Sequence, residues 1–187
     1  MKGLQFEIDG SWAHFKKPDT NNNPLSHDLI PKTALIGMIG AVLGIERKKM
    51  KSLFPQLSED LLYGVELLKP VTKTSYGFTS HTAINPTAIK SPKAFEMLRN
   101  VSYKVGVGLY GERSQSIFDD FQNAILEGYA VYDPYLGIAN CPAELSFISQ
   151  GEFTMMGNGD FKTKGFVIAN EHKLKIIDDD FRIGFDK

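Results

Sequence analysis

The stretch IPKTALIGMIGAVLGIERKK, residues 30–49, limits the fold more than any other part of the chain. From Ala34 to Ile45 it carries no charge, and glycine or alanine recurs at near-helical spacing. Such a run can cross a membrane, fill a core, or hold something against its small face. A spanning helix needs about 20 apolar residues. This run is closed by Lys32 before it and by Glu46-Arg47-Lys48-Lys49 after it. The opening MKGLQFEIDG has no apolar core of a signal peptide. The expectation is a soluble, cytoplasmic protein with no membrane partner. Pro31 suits the first turn of a helix, where its missing N–H costs nothing, and the helix is predicted to run to about Ile45. Thr33, Gly37, Gly40, Ala41 and Gly44 form a small-residue stripe, with Leu35, Ile39, Val42 and Leu43 as the bulky surface. A glycine in a helix interior costs about 1 kcal/mol against alanine. The stripe therefore predicts close packing of another backbone, with this helix lying tightly under a sheet.

The 187 residues are enough for one domain with a small appendage. The single cysteine, Cys141, excludes an internal disulfide, and the scattered histidines argue against a Cys/His metal site. No metal and no cofactor is expected. Net charge is −1 but unevenly spread: residues 1–113 hold 15 Lys and Arg against 10 Asp and Glu, and residues 114–187 hold 6 against 12. That asymmetry marks a basic working face or an accident of surface composition.

Alternation of Leu4, Phe6 and Ile8 predicts a first strand. A polar loop to Pro31 follows, then the glycine-spaced helix, a short helix around Ser58–Tyr63 and a strand GVELLK. Residues 70–92 are polar, β-branched and aromatic without helical period, and read as an extended hairpin or projecting loop. NVSYKVGVGLYG is a strand, SQSIFDDFQNAILEG an amphipathic helix stopped by Gly128, and AELSFISQGEFTM a further strand. GFVIA, KLKII and FRIGF are short strand-like pieces of the tail. The order β, α, β, projection, β, α, β is the α+β ferredoxin-like pattern: an antiparallel sheet with two helices on one face. RNA-recognition modules, enzymes and metabolite-binding domains all use it. A metabolite site would need a concave apolar pocket, and nothing in the sequence marks one.

GVGLYG, Gly106 to Gly111, fits the dinucleotide pattern G-x-G-x-x-G, but the strand alternation runs through it and the helix starts later, near Ser114. Gly106 and Gly108 share a strand face with Lys104 and Tyr110. They leave a strip where another backbone can approach, either RNA or a neighbouring loop. His14, His27, His81 and His172 are dispersed and read as loop histidines. Trp12 and Phe15 beside Lys16 and Lys17 suit stacking and phosphate contact with single-stranded nucleic acid, or anchoring of the loop to the core.

DGSWAHFKKP followed by PKTALIGMIGAVLGIER, then FEMLRNVSYKVGVGL and YDPYLGIANCPAEL, resembles the RAMP-type Cascade subunit of type I CRISPR systems, nearest in flavour to type I-B. The resemblance covers about residues 3–148. It implies a ferredoxin-like domain over residues 1–149, a thumb hairpin inserted at about 70–92, and a short β-rich extension over 150–187. It implies a non-catalytic subunit that grips the 5′ handle of the guide RNA and caps the backbone filament. Its partners would be the guide RNA, the adjacent backbone subunit and the large subunit, with target DNA met only indirectly. The candidate RNA-binding residues are Trp12, Phe15, Lys16, Lys17, Lys32, Thr33, Lys73, Tyr76, His81, Lys104, Arg113 and Tyr135. Lys32 and Thr33 stand at a helix N-terminus, where free N–H groups favour a phosphate.

A related branch of that family cuts the guide precursor without metal, using a tyrosine, a lysine and a histidine. Lys73, Tyr76 and His81 stand in the projection, although the first helix lacks a tyrosine. Endoribonuclease activity is thus the alternative reading. The densest carboxylate run, Asp178-Asp179-Asp180, reads as a solvated turn of the acidic tail.

Overall fold

The computed structural model describes residues 1–21, 23–81, 90–157 and 159–166. Seven strands and three α-helices are formed among them: β1 (Lys2–Ala13), β2 (Phe15–Lys16), β3 (Ser26–His27), α1 (Lys32–Val42), α2 (Arg47–Asp60), β4 (Leu61–Leu67), β5 (Thr72–His81), β6 (Lys90–Leu109), α3 (Gln115–Glu127) and β7 (Glu144–Glu152). A 3-10 turn, Glu112–Ser114, leads into α3.

The antiparallel sheet has the order β4-β6-β1-β7, with β5 also paired to β6. β6 is the spine. Its C-terminal half pairs with β1, from Gly3↔Gly108 to Ala13↔Leu98, and with β4, from Leu61↔Leu109 to Leu67↔Tyr103. Its N-terminal half pairs with β5, from Thr72↔Arg99 to His81↔Lys90. One 20-residue strand thus belongs both to the sheet and to a projecting arm. The predicted strand from Asn100 is its second half only. Ser91-Pro92 broke the strand pattern in the sequence, but proline is tolerated in an arm with a free edge.

One sheet face is apolar. Leu4, Phe6 and Ile8 of β1 and Val101, Tyr103, Val105 and Val107 of β6 are buried in the core. α3 meets them with Phe118, Phe121, Ala124 and Ile125, and Phe6 packs edge-on against Phe121 at 5.6 Å. Gly128 caps α3 in the left-handed conformation, as its sequence position predicts.

The short helix expected at Ser58–Tyr63 is absent as such. α2 covers Arg47–Asp60 and Leu61 begins β4 directly, so the second helix is longer and starts earlier than the short one expected. Pro55 hid it by breaking the helical pattern. It sits on the exposed side, where the carbonyl it frees faces solvent.

The glycine stripe of α1 does not lie under the sheet. Leu35, Ile36, Met38, Ile39 and Val42 are buried, and of the stripe's helical glycines Gly40 is buried while Gly37 is exposed. Gly40 makes room for Met50 of α2, whose Sδ would lie 2.9 Å from an added Cβ. Gly44, at φ +66°, lies against Val131, and the N–H groups of Val131 and Tyr132 donate to the carbonyls of Val42 and Ala41. Gly37 faces open space.

The glycines of GVGLYG are all used within the chain. Phe153 lies across Gly3, Gly106 and Gly108 on the other sheet face, and an added Cβ on Gly111 would sit 2.3 Å from Oδ1 of Asp60. The approaching neighbour at Gly106 and Gly108 is the chain's own segment after β7. That segment reaches β4, where Gly165 bridges Glu66. Most of GFVIA, all of KLKII and FRIGF, His172 and the Asp178–Asp180 run lie outside the described residues.

The turn Pro134–Gly137 fastens the end of β1: the His14 N–H donates to the Leu136 carbonyl, and Gly137 has φ +91° with the His14 carbonyl against its α-carbon. Gly137→Ala is expected to cost about 2–5 kcal/mol, from left-handed strain plus collision with backbone. Gly128→Ala, also at positive φ but in open space, is expected to cost only about 1 kcal/mol. Urea unfolding of the two variants measures the difference.

Candidate nucleic-acid interface

The loop after β1 doubles back and braces the base of the arm. β2 pairs with β3, and the Phe15 N–H donates to Ser26 Oγ at 2.9 Å. The Ser26 N–H donates to the Glu96 carboxylate at 3.1 Å, and the Glu96 N–H donates to the Pro24 carbonyl at 3.0 Å. His14 is buried, with Nδ1 2.8 Å from the Glu96 carbonyl and its ring on Phe95. It is a core histidine rather than the loop histidine its surroundings in sequence predict.

Lys73 completes the brace. Its Nζ lies 2.7 Å from Asp28 Oδ1 and 3.2 Å from Glu96 Oε1. Burial would depress this ammonium, but hydrogen bonds to Asp28 and Glu96 outweigh burial and hold its pKa above the ordinary lysine value. A lysine held so firmly charged is a poor general base. The Tyr103 hydroxyl donates to the Asp28 carbonyl at 2.9 Å, and burial pushes its pKa up.

Strand register puts the aromatic and basic side chains of the arm on one face. Trp12 stands opposite Arg99, which stands opposite Thr72 on its other side. Counting by twos, Tyr76 and Phe78 of β5 and Phe95 and Lys93 of β6 share that face. Tyr76 is 57% exposed and Phe78 41%, while the Arg99 guanidinium lies 5.5 Å from the Trp12 ring centre. Phe78 and Phe95 pack in a tilted pair with ring centres 4.6 Å apart. Arg99, Phe78 and Lys93 were not among the predicted residues. Phe78 lies in the segment read as an extended hairpin or projecting loop and Lys93 and Arg99 lie beyond it; the pairing of β5 with β6 is what puts the three on one face.

The other predicted residues are dispersed. Lys16 is exposed beside Asn21, and Lys17 anchors the loop through its N–H to the Leu25 carbonyl. Tyr135 is 41% exposed on the turn fastened to His14, and so lies on the arm-base side. Phe15 is 2% exposed and faces Tyr103, which leaves its ring no free face for a base. Lys32 donates to the Ser58 carbonyl at the end of α2, and burial lowers its pKa; Thr33 beside it is exposed. Lys104 stands between Glu7 and Glu66 on the sheet face that the segment after β7 crosses. His81 pairs through its backbone with Lys90, and its side chain lies outside the described residues.

Arg113 is committed to a clamp. Its guanidinium holds Asp60, buried at the end of α2, and Glu59 at 2.8 Å. Ser114 Oγ donates to Asp60 at 2.8 Å, and the Asp60 carbonyl accepts from the N–H groups of Tyr110 and Gly111. The clamp fixes the end of α2 to the turn after β6.

Cys141 is buried, and burial raises its thiol pKa. Among the described residues no three His, Cys, Asp or Glu side chains converge on a common point, and no helix is long and apolar enough to cross a membrane.

Residues 3–163 match the model of the CRISPR-associated protein (Cas_Cas5) family. The chain belongs to that family. Among solved structures it resembles a chain of a CRISPR RNA-guided surveillance complex at 16% identity and a TM-score of 0.55, over 74% of this chain and 58% of that one. A CRISPR-associated protein aligns at 14% identity and a TM-score of 0.47, over 80% and 69% of the two chains. A chain of a type IV-B CRISPR complex aligns at 12% identity and a TM-score of 0.44, over 88% and 96%. The chain thus spans less than two thirds of the surveillance-complex chain it resembles. No curated protein matches it. For this family member, mixed α/β architecture built on an antiparallel sheet is the shared feature.

The clamp has a pH signature. Hydrogen bonds from Arg113 hold the Asp60 carboxyl below its ordinary value. A carboxylate with a depressed folded pKa contributes stability above its unfolded pKa of about 3.9 and loses it as pH falls through the folded value. Arg113→Ala is therefore expected to be less stable than wild type at neutral pH, with the gap closing below about pH 4. Thermal unfolding from pH 7 to pH 3 checks this; a gap independent of pH would contradict it.

Proposed function

We propose that this Cas5-family chain is a non-catalytic RNA-binding subunit of a CRISPR surveillance complex that grips the 5′ handle of the guide RNA at the base of its arm. The observation that carries the reading is the arm face with Trp12, Arg99, Tyr76, Phe78 and Lys93. Exposed rings interleaved with cations are what a splayed single strand needs, rings for bases and cations for phosphates. Lys16 at the loop and Tyr135 on its turn extend that surface. The fold is read as the ferredoxin-like RAMP domain, with the arm as its thumb. Support for this is the strand order β4-β6-β1-β7: with the arm and the two short strands set aside, it is 2-3-1-4 in chain order. The neighbouring backbone subunit is the proposed occupant of the arm's outer surface, and type I-B remains the proposed flavour.

In the nuclease alternative Lys73 could not be the base, since a protonated lysine in two ion pairs cannot deprotonate a 2′-hydroxyl. Metal-assisted cleavage would need clustered ligands.

RNA that co-purifies with the chain in its complex should share one short repeat-derived 5′ end when sequenced. Trp12→Ala with Tyr76→Ala should reduce the RNA retained, each lost stack being worth about 1–3 kcal/mol. Repeat RNA incubated with the purified chain, with or without Mg²⁺, should stay intact. Heterogeneous 5′ ends would contradict the handle reading. A single cut abolished by His81→Ala would make the chain a processing enzyme.

A further inference from the structure

Away from the arm, unpaired positive charge is concentrated on the first turns of α2. Arg47, Lys48, Lys49 and Lys51 are all exposed, and none forms an ion pair among the described residues. No acidic residue stands in the first turn. Cations at the positive end of a helix dipole are unfavourable, and so is the like-charged Arg47–Lys51 pair one turn apart.

A shallow groove of about 470 Å³ runs beside this cluster, between α1 and α2. Gly37, Gly40 and Ala41 form its floor, with Met50, Tyr132 and Arg47 around it. A second hollow of about 360 Å³ continues along α2 past Met50 and Lys51 to Phe54. Tyr132 is 55% exposed. Gly37, which weakens α1, has nothing within 4 Å of where a Cβ would stand.

We propose that this groove is a second nucleic-acid surface that takes an unstructured single strand, with phosphates on Arg47 and Lys51 and a base against Tyr132 above the Gly37–Ala41 floor. The groove itself is mostly apolar, with Glu46 beside Arg47 in its lining and Lys51 in the adjoining hollow; exposed cations beside an apolar groove with an open ring are the chemistry of sequence-tolerant single-strand binding. An acidic protein segment would match the charge, but it would leave unused the open face of α1 at Gly37 beside the exposed Tyr132 ring, which a base can cover. The cations and the ring meet the groups that RNA and DNA share, phosphates and base faces, so the surface takes either strand. The inference rests on no residue of the arm. α2 packs on α1, β4 and the 3-10 turn, whereas the arm packs on β6, so either surface can fail without the other.

The test uses the full chain with labelled oligo(U) and oligo(dT) of about 15 nucleotides, read by fluorescence anisotropy across a salt series. Arg47→Glu with Lys51→Glu should weaken both oligonucleotides about tenfold or more and lower the salt slope by about 0.7 per lost phosphate contact. Gly37→Leu should raise the thermal midpoint, because leucine is the better helix former in open space. It should also weaken binding about fivefold or more by filling the floor. Ultraviolet crosslinking should mark Tyr132, in wild type and in the Trp12→Ala/Tyr76→Ala variant alike. Wild-type affinity in both groove variants, or no crosslink at Tyr132, would overturn the proposal. So would loss of an acidic protein partner on Arg47→Glu/Lys51→Glu with oligonucleotide binding unchanged.

Discussion

The continuity of β6 is the constraint on which the rest of the structure depends. A twenty-residue strand has to satisfy its backbone along its whole length. Near its middle it does so on both edges, with Trp12 of β1 and Thr72 of β5 both opposite Arg99. Because one strand serves the sheet and the arm, the arm leaves the sheet without a hinge loop. Its orientation is set by the packing of Val101, Tyr103, Val105 and Val107 in the core.

A two-stranded ribbon on its own is at best marginally stable. The loop between β1 and α1 supplies what the arm lacks. Glu96 is the meeting point: its carboxylate accepts from the Ser26 N–H and pairs with Lys73, its carbonyl meets His14, and its N–H reaches Pro24. The turn at Gly137 then ties the same corner to the segment after α3. Polar residues that look like ligands in sequence are here the fasteners of the arm. The aromatic face on the arm is left free to meet something outside the chain.

The apolar alternation of β1, the amphipathic period of α3 and its glycine stop were legible in the sequence because each depends on local pattern. So was the identity of α1 as a helix. The direction in which α1 faces was not legible. Three glycines in one stripe invite a buried, close-packed reading, yet Gly40 accommodates a side chain, Gly44 a positive φ, and Gly37 nothing within the chain. α2 was read only at its last turn; the helix runs through Pro55, an interior proline that local pattern disfavours and whose cost the packing of Leu57 and Asp60 outweighs. Of the face proposed for RNA, Trp12 and Tyr76 were named from residue type alone, whereas Lys73, named with them, is committed to Asp28 and Glu96. Phe15 was misjudged because burial follows from tertiary contact with Tyr103. Arg99, Phe78 and Lys93 needed the register of β5 on β6, which no local period discloses.

The central claim is that the face at the base of the arm holds the guide strand. Hydrogen exchange with and without the 5′ segment of the guide tests it most directly, since exchange reports local opening segment by segment. The account predicts added protection in residues 12–17, 72–78 and 93–99, with little change in 144–152. Protection confined to the sheet face around Lys104, or none in the arm, would contradict it.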